Sequence, residues 1–445
     1  MPTLPARQPL NSLSLSSSER ENRAVLPILP TEKRPGFEWR PGVRAVLDLG
    51  STKTTCLIGR GLQNGALQVL GWGWRRSEGI QSGSIVDTKL AEAVIRATVG
   101  DAEKQTGRHI DDLIVNLSGG NPLSLHSDVS MTVGNREVVD NDVRDLMEDA
   151  RDSVYREGRE IVHTLPLGFN VDETHAVPNP CGHLCQNLMG KFHLIDANAS
   201  ALRTLSTVLN KAELRLAGLV SSPFAAGLAA LDYDERDLGV TIVEMGAGTT
   251  SLAVFSHGKL LHTAQLRIGG HHITRDIASA LNVHTDTAEW LKTMHGAAQY
   301  VSDHEDYIIR LPAGPDGTAE RISRSRLIAV IAPRVEEILE MTRHALDSAG
   351  LGRLAEGRIV LTGGASLLND IAPVAARIFG RQLRLGQPLN VKNLPENSAI
   401  SAGFSTASGL LAWAVGADSQ FCFAETSQQG RNWMRRLVNF IGKHV

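Results

Sequence analysis

The stretch "LDLGSTKTT", Leu47–Thr55, returns later in the chain as "VEMGAGTTS", Val243–Ser251. At one constant offset Asp48 falls on Glu244, Gly50 on Gly246 and Thr54 on Thr250. Each copy reads as a strand, a tight turn of Gly and small hydroxyl residues, and a returning strand. Such a turn aims successive backbone N–H groups at one point, and a concave run of donors binds anions, phosphate oxygens among them. Glycine is needed there if the backbone takes positive φ or approaches a ligand closely. An acid ahead of that glycine would repel phosphate unless Mg2+ and its waters lie between, and Mg2+ prefers carboxylate and phosphate oxygens. One copy alone would pass for a plain β-hairpin. Two copies at matching register suit a clamp holding a nucleotide's phosphates from opposite sides.

A third element, "IVLTGGASLL", is a buried strand ending in paired glycines before a helix. Gly363 and Gly364 would let a flat base lie against backbone. Elsewhere strands alternate with helices, which indicates an α/β architecture with mixed sheets. One expected helix is "DTKLAEAVIRATVGDAEKQTG", with Asp87 or Thr88 as N-cap and Gly107 as its stop. Another is "SAGFSTASGLLAWAVGA", Ser401–Ala417, uncharged but diluted by Ser, Thr and Gly, and so expected as a buried helix. No segment has the ~18 consecutive apolar residues of a membrane-spanning helix, and no signal-peptide core stands at the N-terminus. Residues 1–42, rich in Ser, Pro and Arg, read as a disordered arm. At 445 residues there is room for two or more cored domains. The net charge of -3 gives no general reason to expect nucleic acid as partner. Four cysteines make no disulfide framework, so a reducing compartment is expected.

The order "DLGSTKTT", "EMGAGTTS", "TGGASLL" resembles the actin–Hsp70–sugar kinase superfamily. Within it the chain is similar to the FtsA family, the actin-like proteins of bacterial cell division. The resemblance runs from about Val43 to the C-terminus and is carried further by "IVDTKLAEAVIRAT", "IVHTLPLGFNVDE", "RIGGHHITRDIA", "AEWLKTMHG" and "IVLTGGASLLNDIAPVAARIFG". It implies an α/β, two-lobed actin-like ATPase fold with an inserted small α/β domain, and ATP with Mg2+ as ligands. Carried over position by position, Asp48 and Glu244 would face the metal. Gly50, Ser51, Thr52 and Lys53 would sit at the phosphates, and Gly246, Gly248, Thr249 and Thr250 would close on them from the other lobe, with Gly269 and Gly270 beside them. Glu289 and Lys292 would reach the ribose and base edge, although on the residues alone that pair reads as a surface i,i+3 salt bridge. Gly363, Gly364 and Ser366 would line the adenine pocket.

The expected domains are a first lobe over 43–85, 164–231 and 395–417, an insert over 86–163, and a second lobe over 232–394. A linker, 418–430, then leads to a terminal helix, 431–445. In that helix Trp433, Met434, Leu437, Val438 and Ile441 share one face, flanked by Arg431, Arg435, Arg436 and Lys443. It is too short to span a bilayer and suits a helix lying among anionic headgroups; docking on the protein's own core is the other reading. The resemblance further implies self-assembly into filaments, the FtsZ C-terminal tail as a partner within about Thr274 to Arg358, later division proteins on the insert, and a place on the cytoplasmic face of the inner membrane.

Two departures bear on chemistry. The second turn opens with Glu244 rather than Asp and has Ala247 between its glycines. Where ATPase relatives place a Glu before Pro-x-Ala-Ala, this chain has Ser222, and "SSPFAAGLAAL" offers no Gln, Glu, Asp or His to position a water. Slow or negligible turnover is therefore expected, with no catalytic residue assigned. An active ATPase or phosphotransferase on the same fold, and an FtsA-like scaffold of pilus or secretion machinery, are the competing readings. "CGHLC" lacks a fourth zinc ligand at the usual spacing, and His271 and His272 are expected on a solvated helix start.

Overall fold

A computed structural model describes residues 42–63, 65–301, 306–311, 321–351, 358–395 and 398–416. The arm up to residue 41, the expected linker and the expected terminal helix lie outside these residues. The first lobe opens with an antiparallel meander, β1 (Arg44–Leu49), β2 (Lys53–Gly61) and β3 (Leu67–Arg76). β1 is apolar except for Arg44 and Asp48, and is buried along nearly its whole length, as a strand covered on both faces must be. A short hairpin, β4 (Ile80–Gln81) and β5 (Ser84–Ile85), leads to α1 (Thr88–Thr106). The Asp87 side chain accepts from the Lys89 and Leu90 N–H groups and caps the helix, and Gly107 ends it at φ 63. The chain then returns as β6 (Asp112–Leu117), parallel to β1.

The insert follows as β7 (Leu123–Glu137), α2 (Asp140–Ser153), β8 (Arg159–Val171), β9 (Thr174–Val177) and β10 (Leu184–Asn198). Its own sheet runs β7-β10-β8-β9, with a separate core that includes Leu146, Leu188, Phe192 and Leu194. The expected boundaries of 86–163 are therefore corrected at both ends. α1 and β6 belong to the first-lobe sheet and core. β10 pairs along its length with both β7 and β8, so the chain up to Asn198 belongs to the insert. Alternation of strands and helices looks the same on both sides of such a junction, and only strand pairing tells them apart. Where the insert rejoins, Arg159 and Arg156 pair with the buried Asp196 carboxylate at 2.7 and 3.0 Å. On the far side, His193 and His126 bond the Leu260 and Leu261 carbonyls at 3.0 and 2.8 Å.

After α3 (Ala199–Lys211), β11 (Arg215–Ser221) lies parallel to β6, and α4 (Ser222–Ala230) and α5 (Tyr233–Leu238) lead to the second lobe. There β12 (Val240–Met245), β13 (Thr250–Ser256) and β14 (Lys259–Leu266) repeat the meander. Helices α6 (Gly270–Leu281) and α7 (Thr285–His295), the small hairpin β15 (Ile308–Arg310) and β16 (Arg321–Ser323), and the long α8 (Arg324–Ser348) follow. β17 (Arg358–Thr362), α9 (Ile371–Phe379) and β18 (Gln382–Leu385) complete it. The second sheet runs β14-β13-β12-β17-β18 and the first β3-β2-β1-β6-β11, with the same parallel and antiparallel pairings in the same places. The duplication seen in two turns thus extends through both sheets. β19 (Val391–Lys392) pairs with β3, so the chain is back in the first lobe slightly before the expected border at 395.

The last described helix, α10 (Ser405–Ala414), is buried as expected. With α4 it fills a core shared by the two sheets, where Phe224 and Leu411 meet Val46 and Leu57 on one side and Ile242 and Phe255 on the other. Small residues set that spacing, since a Cβ on Gly409 would lie 1.7 Å from the Ala225 carbonyl oxygen.

Candidate functional site between the two lobes

The duplicated turns have the same construction. Asp48 pairs with Thr55 and Leu49 with Thr54 across the first hairpin; Glu244 pairs with Ser251 and Met245 with Thr250 across the second. Gly50 N–H donates to Lys53 O at 3.1 Å and Gly246 N–H to Thr249 O at 2.9 Å, closing two four-residue turns. Neither glycine takes positive φ, contrary to one sequence expectation. A side chain is excluded instead by crowding, since a Cβ would sit 2.7 Å from Lys53 O at Gly50 and 3.0 Å from Thr249 O at Gly246.

The turns meet face to face. Ser51 Oγ lies 2.4 Å from where a Cβ on Gly248 would stand, and accepts a hydrogen bond from Gly83 N–H at 3.2 Å. Thr52 Oγ1 shares a hydrogen bond of 3.0 Å with His271 Nε2, from the first turn to the start of α6. Lys53 contributes its backbone to the turn, but its amine points elsewhere. Nζ donates to Gly403 O at 2.9 Å and stands 3.5 Å over the Phe404 ring. Burial pulls this ammonium down to about 8 against the opposing pull of Asp48.

The two acids stand behind the turns. Burial lifts Asp48 to about 6, with Lys53 opposing the rise. Burial lifts Glu244 to about 7 although Thr406, whose hydroxyl donates to Oε1, lowers it, and the Asp48 charge adds to the rise. Asp48 is buried and Glu244 half-buried, the Asp48 charge bears on Glu244, and the Lys53 ammonium opposes the rise only at Asp48, so the place is short of positive charge. A divalent cation suits that deficit, and the oxygen donors are the kind Mg2+ takes.

The second lobe forms the other wall. Gly270 and His271 N–H groups donate to Gly246 O at 3.0 Å and Ala247 O at 2.7 Å, so the first turn of α6 is anchored on the second hairpin. Thr250 Oγ1 donates to Ile268 O at 2.8 Å, and Gly269 packs against the Gly246 and Ala247 carbonyls. Glu289 and Lys292 form their pair at 2.7 Å, yet not as a free surface bridge. Lys292 Nζ also reaches Thr274 Oγ1 at 2.8 Å and Gly270 O at 3.2 Å, tying α7 to α6. Burial alone would raise Glu289, but Lys292 and the Thr274 hydroxyl hold it below the usual carboxylate range. Gly363 takes φ +90, and a Cβ there would stand 2.5 Å from Met245 O. Gly364 faces open space, whereas the Ser366 hydroxyl is buried and donates to Gly363 O at 2.7 Å, holding the turn rather than lining a pocket.

Sequence reasoning missed two groups. Asn116 accepts from Leu49 N–H at 2.7 Å and donates to Ser222 Oγ at 3.1 Å, and Ser222 in turn donates to Leu117 O at 3.1 Å. This network braces the first hairpin from beneath and leaves the Ser222 hydroxyl engaged. The other is His271, half-buried at the cleft rather than solvated as expected; an "HH" pair at a helix start gave no signal of it.

Residues 241–409 match the family model described as "Cell division protein FtsA", and residues 119–196 match "SHS2 domain inserted in FTSA", which coincides with the insert seen here. A "Cell division protein FtsA" of Agrobacterium fabrum is 36% identical over 405 residues, covering 88% of this chain and 91% of that protein. The chain belongs to the FtsA family. An FtsA of Rhizobium meliloti is 38% identical over 397 residues, covering 85% and 88% of the two chains, and an FtsA of Escherichia coli is 27% identical over 409 residues, covering 89% and 97%. Among solved structures, the PilM-PilN type IV pilus biogenesis complex aligns with TM-score 0.60 at 18% identity, over 84% of this chain and 98% of that one. MreB5 of Spiroplasma citri bound to ADP aligns with TM-score 0.51 at 14% identity, over 82% and 94%. These two likenesses show the actin-like fold, whereas the FtsA relatives show a cell-division family and do not favour the pilus-scaffold reading.

Proposed function

We propose that this FtsA-family protein binds ATP with Mg2+ between its two hairpins, assembles with copies of itself, and ties the FtsZ ring to the cytoplasmic face of the inner membrane. The observation that carries the reading is the pair of hairpins in identical register, touching at their turns with two desolvated acids behind them. Asp48 and Glu244 would hold Mg2+, which when bound screens the phosphate charge from the two carboxylates. The backbone of residues 50–53 and 246–249 would hold phosphate oxygens, the Glu289–Lys292 pair the ribose, and the open face at Gly364 the base. Ser222 is committed to Leu117 and Asn116, which supports ATP as a conformational ligand with weak or negligible turnover.

For the FtsZ tail, the second lobe offers an aromatic cluster of Trp290, His295 and Tyr307, with Arg324 Nε donating to His295 O at 3.0 Å. Trp290 and Tyr307 are each 40% exposed, which suits capture of an apolar peptide segment. Later division proteins would engage the insert. Membrane contact rests on residues 431–445, outside the described residues; among those described, no helix is long and apolar enough to cross a membrane.

The test is titration calorimetry of the full chain with ATP and Mg2+, and with ATP in chelator. Saturable heat that weakens about tenfold or more in Asp48→Ala is expected, since a charge–metal contact is lost. No heat with any adenine nucleotide and magnesium would overturn the reading.

A further inference from the structure

We infer that Thr52 and His271 form the latch of the cleft, a pair of positioning residues that sets how fast a bound nucleotide leaves. The inference rests on the nucleotide reading of the same site and goes beyond it by naming what holds the two lobes together at the turns.

Two anchors define the part. On one side, the His271 backbone is fixed to the second hairpin, because its N–H and that of Gly270 donate to the Ala247 and Gly246 carbonyls. On the other, Thr52 sits within the turn closed by Gly50 and Lys53, and Ser77 N–H donates to Thr52 O at 2.7 Å. The 3.0 Å bond between their side chains therefore joins two segments that are each rigid within their own lobe. Any motion that parts the hairpins must break it. Behind the turns Thr406 bonds Glu244 and Gln265 Nε2 donates to Ser118 O at 3.0 Å, and a further contact between the lobes joins Arg76 and Asp286, 3.0 Å apart. Both of those side chains are about three-quarters exposed or more, and so open an ion pair carries little. Thr52 is exposed but the imidazole is half-buried and its backbone is anchored at the turn, which makes the Thr52–His271 bond the better candidate for control.

The chemistry suits a latch that does not depend on charge. Burial, then the nearby Lys292, disfavours protonation of His271, and a neutral ring carries one N–H and one bare nitrogen. A threonine hydroxyl can serve either of them. The bond forms with a small movement and breaks without leaving a buried charge behind.

The test loads the full-length protein with a fluorescent ATP analogue and Mg2+, then chases with excess ATP. Thr52→Val and His271→Ala should each speed dissociation by about threefold to tenfold, the value of one partly exposed neutral hydrogen bond, with association unchanged. The double variant should be no faster than the faster single, because both remove the same bond. Unchanged dissociation in both singles, or multiplied effects in the double, would overturn the latch while leaving nucleotide binding intact. If the wild type takes up no nucleotide, the functional reading fails, and the latch is then judged by amide hydrogen exchange in residues 50–53 and 246–249. Faster exchange in Thr52→Val, which keeps the imidazole in place should His271→Ala fail to fold, supports it; exchange equal to wild type overturns it.

Discussion

Proton release on nucleotide binding would read the state of the two acids directly. With Asp48 at about 6 and Glu244 at about 7, the pair together holds about one proton at about pH 6.5 and little of one at about pH 8. A bound cation favours the ionised form of both, so these protons leave as Mg2+ and ATP enter. The perturbation is Glu244→Gln, which keeps the shape and the hydrogen-bond acceptor for Thr406 but removes one titrating group. Wild type should then release more protons than the variant at about pH 6.5, by roughly half a proton or more, and nearly the same number at about pH 8. Calorimetry in several buffers of different ionisation enthalpy gives the number as a slope, and the difference between the two proteins cancels protons shed by the nucleotide itself. The sign is fixed. Both acids sit above their ordinary values, so affinity rises as pH climbs through 6 to 7, and the stability of the protein alone falls over about pH 4 to 7 as the buried groups are forced to ionise. Equal release from wild type and Glu244→Gln at about pH 6.5, within about 0.2 proton, would refute the argument that desolvation sets these groups.

Two further outcomes are expected. Gly409→Val forces apart α4 and α10, where a Cβ would stand 1.7 Å from Ala225 O; a loss of about 3 kcal/mol or more is expected, read as a clear fall in the melting temperature, and melting as in wild type would show that the helices can separate freely. Removing residues 431–445 should release the protein from anionic liposomes, because the face of Trp433, Leu437 and Ile441 with its arginines goes with them; a truncated form that still sediments with the liposomes would rule out the tether.

Much of the site was legible in the chain itself. The two acid-Gly turns, the Gly363–Gly364 turn and the apolar strands around them are local patterns, and local patterns survive as geometry when neighbouring residues alone decide it. The identical registers of Asp48 with Thr55 and Glu244 with Ser251 follow from turns of equal length. The helix cap at Asp87 and the stop at Gly107 are of the same kind.

What the chain could not show depends on residues far apart in it. The insert begins after β6 and ends with β10 because strand pairing, not alternation, assigns Asp112–Leu117 to β1 and Leu184–Asn198 to β7 and β8. Lys53 directs its amine to Gly403 O and the Phe404 ring, about 350 positions later. Glu244 gains Thr406, and Ser222 is taken up by Leu117 and Asn116. His271 meets Thr52 from the other lobe, 219 positions away in the chain. Sequence determined which chemistry each hairpin carries, since that resides in consecutive residues. Tertiary structure alone decided how desolvated the acids are and which side chain spans the cleft, because burial and reach are properties of surfaces brought together from both halves of the chain.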